Sequence, residues 1–405
     1  MPRGRYRPWL LLIGAAIATA AVGWYSHGRA AAAAEAGDPQ AVVDALTEGF
    51  WILFALFALL GVGVIAGGYV GRVLGRTKAH DQLQLGQYTL EEKLGEGAMG
   101  AVYRARHALL RRPTAIKLLR VERQSDTRAL QRFEREVQQT SRLMHPNTVA
   151  VYDFGHTREG VFYYAMEYIE GTTLERLVDQ FGPLPPERAI YVLKQVCGSL
   201  AEAHGMGLVH RDIKPSNIML CEQGGEHDVV KVVDFGLVKD ATDASSSLTM
   251  GDALAGTPLY ASPEAIRSSD AVEPRSDLYA VGAVGYFLLT GMRVFDGETV
   301  MEVCTKHLSE QPQRPSDRAD VAVPRDLEDL IMACLEKEPA DRPASARILR
   351  DSLVACAAHA LWGQAEAYAW WEQHRAALSA PREGAGPPAL PFVSIDLASR
   401  TRDAD

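Results

Sequence analysis

The chain has 405 residues, with 42 lysines and arginines against 51 aspartates and glutamates, for a formal net charge of −9. That balance excludes a broad polyanion-binding surface, so no nucleic-acid partner is expected, while a local nucleotide site stays open. Cys197, Cys221, Cys304, Cys334 and Cys356 form no CxxC pair, which argues against a disulfide framework or a zinc site and for buried or idle thiols in a reducing compartment.

Residues 9–24 carry no charge and come after Arg3, Arg5 and Arg7. A second uncharged run covers residues 50–70 and leads to Arg72, Arg76 and Lys78. The second run has about the twenty residues that a helix needs to cross the hydrocarbon core. The first reads either as a cleaved signal peptide, with the alanine-rich stretch 30–36 behind it, or as the first arm of a two-helix hairpin. Trp9 and Trp24 bracket it as interfacial aromatics would, which favours the hairpin. Residues 1–86 are thus expected to form a membrane anchor: helices at about 9–25 and 50–70, a short external loop 26–49, and a basic juxtamembrane stretch 71–86. The flanking arginines put the chain beyond residue 70 on the cytoplasmic side. The external loop is too short to build a ligand-binding core. Gly63, Gly67 and Gly71 recur every fourth residue, a face that permits either a homodimer or close packing on the first span.

Next comes Leu94-Gly95-Glu96-Gly97-Ala98-Met99-Gly100-Ala101-Val102. Glycines at 95, 97 and 100 let backbone amides approach phosphates, and Val102 offers a flat apolar surface to a purine. Similar glycine spacing also opens dinucleotide-binding folds, but there it leads into a helix. Here residues 101–105 alternate as a returning strand, and a second strand ends at Lys117. The next segment reads as a helix capped by Ser125 or Asp126 and running to just before His145, with an inward stripe of Leu130, Phe133, Val137, Thr140 and Met144. Glu136 lies on that inward side and needs a cation, for which Lys117 is the candidate. Two apolar strands come next, 149–154 and 161–169, and helical segments then run from 174 to 204.

The richest stretch is His210-Arg211-Asp212-Ile213-Lys214-Pro215-Ser216-Asn217. Pro215 rules out a regular helix, so its polar groups sit on a tight loop. Asp212 can take a proton from a hydroxyl, Lys214 can neutralise a phosphate oxygen, and Asn217 can hold a divalent cation. Seventeen residues after Asn217, a short apolar strand delivers Asp234-Phe235-Gly236 and a second carboxylate.

This octapeptide and the subsequent Asp-Phe-Gly resemble the catalytic and metal-binding loops of protein kinases. Over about residues 88 to 355 the chain is similar to the bacterial eukaryote-like serine/threonine kinases of that superfamily. The resemblance implies an α+β fold of two lobes, a small β-rich N-lobe and a larger α-helical C-lobe, over residues 87–355. It implies ATP and Mg²⁺ as cofactors, with Asn217 and Asp234 holding the metal and Asp212, Lys214, Lys117 and Glu136 as the catalytic set. Leu94 to Gly100, Val102, Ala115 and Met219 would then enclose the nucleotide. The stretch from Met166 would supply gatekeeper and hinge, where Glu167 and Ile169 would offer backbone groups to adenine and their side chains matter little. Lys214, with Thr257 before Pro258, points to serine and threonine hydroxyls of proteins as acceptors. Thr140 stands where the family usually carries leucine or methionine. In the polar loop 237–261, Thr249 and Ser247 are the candidate autophosphorylation sites, since Arg211 beside the catalytic aspartate favours a phosphate. Glu264 is expected to pair with Arg342, and Asp277 to brace the central loop. Inner-membrane placement with a cytoplasmic kinase domain, in a signalling role, is implied by the same similarity. A scaffold that only binds nucleotide and a small-molecule phosphotransferase are the competing readings.

Beyond the domain, Val354, Leu361 and Tyr368 repeat every seventh residue, with Ala358 and Ala365 between them. They predict an amphipathic helix over 356–378 whose Trp362, Trp370 and Trp371 could dock on the catalytic domain, meet a partner or touch the membrane. Residues 379–405, rich in Pro, Gly, Ala and Asp, are expected to be disordered.

Overall fold

The computed structural model describes residues 24–32, 34–37, 39–44, 47–48, 84–97, 100–119, 135–156, 161–235 and 258–378. The chain divides into two units, residues 1–81 and 82–405. In the first, most described residues between 24 and 48 are helical. No helix among the described residues is long and apolar enough to cross a membrane. The run 50–70, with its Gly63, Gly67 and Gly71 face, lies outside the described residues, as does all of 9–25 except Trp24 and Tyr25.

The second unit opens with β1 (Gln84–Leu85), β2 (Tyr88–Gly97), β3 (Gly100–His107) and β4 (Pro113–Leu119), and continues through β5 (Val151–His156) and β6 (Phe162–Glu167). These six form one antiparallel sheet in the order β1-β2-β3-β4-β6-β5. Gly100 opens β3 at φ +142°, and a Cβ there would meet the Leu118 carbonyl oxygen at 1.9 Å, so only glycine fits. One face of the sheet buries Leu90, Tyr103, Ile116 and Tyr163, while the other buries Ala115, Val149, Tyr164 and Met166 with Val137.

Val137 belongs to helical residues 135–140, after which the chain turns. The predicted helix therefore stops short of His145, and its predicted inward residue Met144 is 86% exposed. Leu143 is buried in its place, because the turn at 141–142 breaks the helical period. Val137 and Thr140 are buried as the stripe predicts, and Leu130 and Phe133 lie outside the described residues.

A three-stranded sheet, β7 (Gly171–Thr173), β8 (Ile218–Gln223) and β9 (Glu226–Val232), carries the central loop. Helices α1 (Leu174–Phe181), α2 (Pro186–Gly205), α3 (Pro263–Arg267), α4 (Pro274–Thr290), α5 (Val300–Ser309), α6 (Arg325–Cys334), α7 (Ala346–Ala355) and α8 (Gln364–Leu378) complete the larger part. α4 is apolar on every side and buried nearly throughout, which marks it as the central element of the helical core. Its start is fixed by a Glu273–Ser276 capping box, and Gly291 ends it at φ +68°. α6 crosses it so closely that a Cβ on Gly282 would lie 2.6 Å from that of Cys334. All five cysteines are buried and free.

The single amphipathic helix expected over 356–378 is two pieces, a 3₁₀ stretch Ala357–Leu361 and α8, separated at Trp362-Gly363. Most of its predicted stripe is turned outward: Val354, Leu361, Ala365 and Tyr368 are exposed, while Ala358 of the stripe is buried, together with Ala367 and Trp371 outside it. The break shifts the helical phase, and the face that packs is set by the indoles. Arg188 of α2 and Asp228 of β9, both fully buried, form a two-point ion pair at 2.8 and 2.9 Å. Trp371 and Trp362 donate their indole N–H groups to the two oxygens of Asp228 at 2.8 and 3.0 Å. The Arg188 guanidinium lies 3.8 Å from the Trp370 ring centre. Gln364 adds bonds to the His227 backbone, accepting from its N–H and donating to its carbonyl. Of the three fates open to these tryptophans, docking on the catalytic unit is the one observed.

Candidate active site

The site is built on two short connections. The 3₁₀ turn Pro215–Asn217 comes after the loop of His210 to Lys214 and leads into β8, and the end of β9 leads to Asp234. The β8–β9 hairpin thus ties Asn217 to Asp234, and the Val233 N–H bonds the Asn217 carbonyl at 2.9 Å. Arg211 and Asp234 both have positive φ, 65° and 61°, conformations rare for such residues and held here by their surroundings.

Asp277 accounts for the first. One of its oxygens accepts from the His210 N–H at 2.8 Å and from His204 Nε2 at 2.8 Å, and the other accepts from the Arg211 N–H at 2.9 Å. The expected brace is therefore formed, with His204 as a third donor. His210 is fully buried, and burial holds its imidazole below the usual range against the pull of Asp277 and Asp212. A neutral ring fits both neighbours: Nδ1 accepts from the Asp212 N–H at 3.2 Å, and Nε2 donates to the Val233 carbonyl at 3.1 Å. The ring also packs 4.5 Å from Phe235.

Asp212 is held at its side chain as well. Asn217 Nδ2 donates to the Asp212 carboxylate at 2.8 Å and to its carbonyl at 2.9 Å, and Lys214 Nζ lies 2.9 Å from the same carboxylate oxygen. Of the predicted catalytic and metal-binding residues, the structure brings Asp212, Lys214 and Asn217 into one cluster and Lys117 to Asp234. The expected Lys117–Glu136 pair is not made. Lys117 Nζ lies 2.7 Å from Asp234 Oδ1 instead, and helical residue Glu136 is half-buried. Burial would raise the Asp234 carboxyl, but the Lys117 ammonium and a bond from Tyr164 hold it below its ordinary value.

For the nucleotide, the register aligns Val102 with Lys117 and Lys117 with Tyr164 across β3, β4 and β6. Ala115 lies opposite Met166, and both belong to a buried apolar patch against which Val102 and Ile169 pack. Leu94, Gly95 and Glu96 lie on β2, with Gly95 opposite Val102 and Gly97 opposite Gly100. Ala98 and Met99 lie outside the described residues. Met219 is half-buried on β8, opposite Lys231. Beyond the backbone role expected of it, Glu167 has side-chain partners of its own. The carboxylate pairs with Lys231 at 3.0 Å and accepts from Gln223 at 2.8 Å, tying the hinge to the β8–β9 hairpin. Its own N–H bonds the Ala150 carbonyl at 2.9 Å.

Arg342 grips Glu264 with two bonds of 2.7 Å, and Ser276 donates to the same carboxylate at 2.6 Å. Burial opposes ionisation there, yet these donors hold the Glu264 carboxyl down at about 2. Ser247, Thr249 and Thr257 lie outside the described residues.

Sequence reasoning missed Tyr164, whose hydroxyl bonds Asp234, and the Arg188–Asp228 pair under the tryptophans. Tyr164 reads as one more strand residue. Arg188 carried a weak signal, as a charge one residue ahead of Ala189 and Ile190 in an otherwise inward stretch of α2.

The protein kinase domain model matches residues 88–354. The serine/threonine-protein kinase pkn3 of Myxococcus xanthus is 43% identical over 272 residues, which cover 66% of this chain and 50% of pkn3. PknB of Mycobacterium tuberculosis, also a serine/threonine-protein kinase, is 40% identical over 271 residues, covering 66% of this chain and 42% of PknB. The chain therefore spans about half the length, or less, of these relatives. The crystal structure of a cysteine-to-alanine mutant of the Mycobacterium tuberculosis PknI kinase domain superposes with a TM-score of 0.53 at 28% identity, over 68% of this chain and 98% of that domain.

Proposed function

The chain belongs to the protein kinase family, and on that footing we propose that it is an ATP- and Mg²⁺-dependent, non-specific serine/threonine protein kinase anchored in the inner cell membrane, with its catalytic unit in the cytoplasm. The observation that carries the chemistry is the cluster in which Asn217 and Lys214 hold the Asp212 carboxylate while Lys117 meets Asp234. The names of the pkn3 and PknB relatives support the acceptor class.

The donor set fits the cofactors. Asn217 turns its amide nitrogen onto Asp212, which leaves the amide oxygen for a cation, and Asp234 keeps Oδ2 clear of Lys117 and Tyr164. Two hard oxygens supplemented by phosphate oxygens suit Mg²⁺. Bound with ATP, that ion neutralises charge on the transferring phosphoryl group. The protein's own work is positional. Asp212 orients the acceptor hydroxyl and takes its proton, with Asn217 fixing its rotamer. Lys214 steadies the γ-phosphate end, and Lys117 is close enough to Asp234 to serve phosphate and metal ligand together. The apolar patch of Val102, Ala115 and Met166 receives the purine.

Purified full-length chain, given labelled ATP, Mg²⁺ and a generic protein substrate, is expected to label serine and threonine on that substrate and on itself. Nucleotide binding without transfer would support a scaffold, and transfer only to small molecules would replace the protein acceptor.

A further inference from the structure

Tyr164 stands beside the metal-binding aspartate without a role so far. Its place is set by the sheet, since β4 and β6 pair Lys117 directly with Tyr164. The ring is 2% exposed and packs with Ala115, Val137, Val149 and Met166. From there its hydroxyl donates to Asp234 Oδ1 at 2.8 Å, the same oxygen that Lys117 Nζ meets at 2.7 Å. Both donors therefore grip one oxygen, and among the described residues Oδ2 accepts no side-chain hydrogen bond. The two differ in reach. Lys117 is a flexible cation that phosphate oxygens also attract, whereas Tyr164 is neutral and fixed in a packed sheet.

We propose that Tyr164 is a positioning residue that keeps Asp234 Oδ1 tethered when Lys117 turns to the nucleotide, so that Oδ2 stays aimed at the metal. This rests on the kinase reading above. Its expected signature is a loss confined to the metal. In full-length Tyr164→Phe, binding of an ATP analogue with a non-transferable γ-phosphate should stay within about twofold of wild type without Mg²⁺. The Mg²⁺ affinity of that complex, measured by calorimetric titration, should fall about tenfold, as for loss of a hydrogen bond to a charged group. In turnover, the Mg²⁺ concentration for half-maximal rate should rise while the rate at saturating Mg²⁺ changes little.

Tyr164→Met, which lacks the hydroxyl and the ring, should weaken Mg²⁺ to a similar degree, and thermal unfolding checks that each variant is folded. Unchanged Mg²⁺ affinity in Tyr164→Phe would overturn the proposal. So would a loss seen only in Tyr164→Met, which would assign the effect to packing, or an equal loss of metal-free nucleotide affinity. If wild type itself fails to bind the analogue with Mg²⁺, the kinase reading falls first.

Discussion

Three donors converge on the Asp277 carboxylate, and two bonds from one guanidinium converge on Glu264. Charged groups this deeply buried survive only where their lone pairs find donors, so each serves as a fixed point for the loop it holds. Arg342→Ala strands Glu264 and should lower stability by about 3 to 5 kcal/mol in urea unfolding at neutral pH. The pH dependence has a definite sign. The folded Glu264 carboxyl sits at about 2, below its ordinary 4.5, so its contribution is complete above pH 4.5 and fades as pH falls toward 2. The gap between wild type and Arg342→Ala should narrow across that window, and a gap that widens there would contradict the assignment. At this scale the sequence is readable where chemistry dictates identity. Asp212, Asn217, Asp234, Glu264 and Asp277 each carry the functional group that their neighbours require. The partner of Lys117 was not readable, because strand register and the end of β9 decide which carboxylate reaches it.

The β8–β9 hairpin is the element that matters most, since its two ends deliver Asn217 and Asp234. It is held from both sides. Glu167 reaches it from the hinge through Lys231, and α8 reaches it through Trp371 and Asp228. Burying the Arg188–Asp228 pair is tolerable only because the indoles and stacked rings complete its contacts. Trp371→Phe keeps ring surface but takes one donor from an Asp228 oxygen, and should cost about 1 to 3 kcal/mol of stability. Thermal unfolding of the variant checks this, and an unchanged melting temperature would mean that α8 adds nothing to the catalytic unit. A heptad count over 354–368 chose the wrong face here. Periodicity presumes an unbroken helix, and the break at Trp362-Gly363 lies in a stretch with no proline to announce it. The strands were easier, because alternation over a short run has one stable solution.

For the molecule as a whole, the kinase fold belongs to the catalytic unit, as the order of its motifs implied and the match over residues 88–354 shows. Membrane attachment rests on the two uncharged runs. It predicts that full-length chain sediments with membranes and is released by detergent and not by high salt or alkaline carbonate. Release by salt alone would remove the anchor. Everything proposed for the catalytic unit depends on Asp212 acting on a bound Mg²⁺–ATP complex to move phosphate onto a hydroxyl. The decisive comparison is wild type against Asp212→Asn, with Mg²⁺–ATP affinity and labelled phosphate transfer to protein serine and threonine measured on the same preparations. Affinity should be nearly equal, and the variant's transfer rate should be lower by about 10²–10⁴-fold; equal transfer by both proteins, or none by wild type, would refute the role given to Asp212.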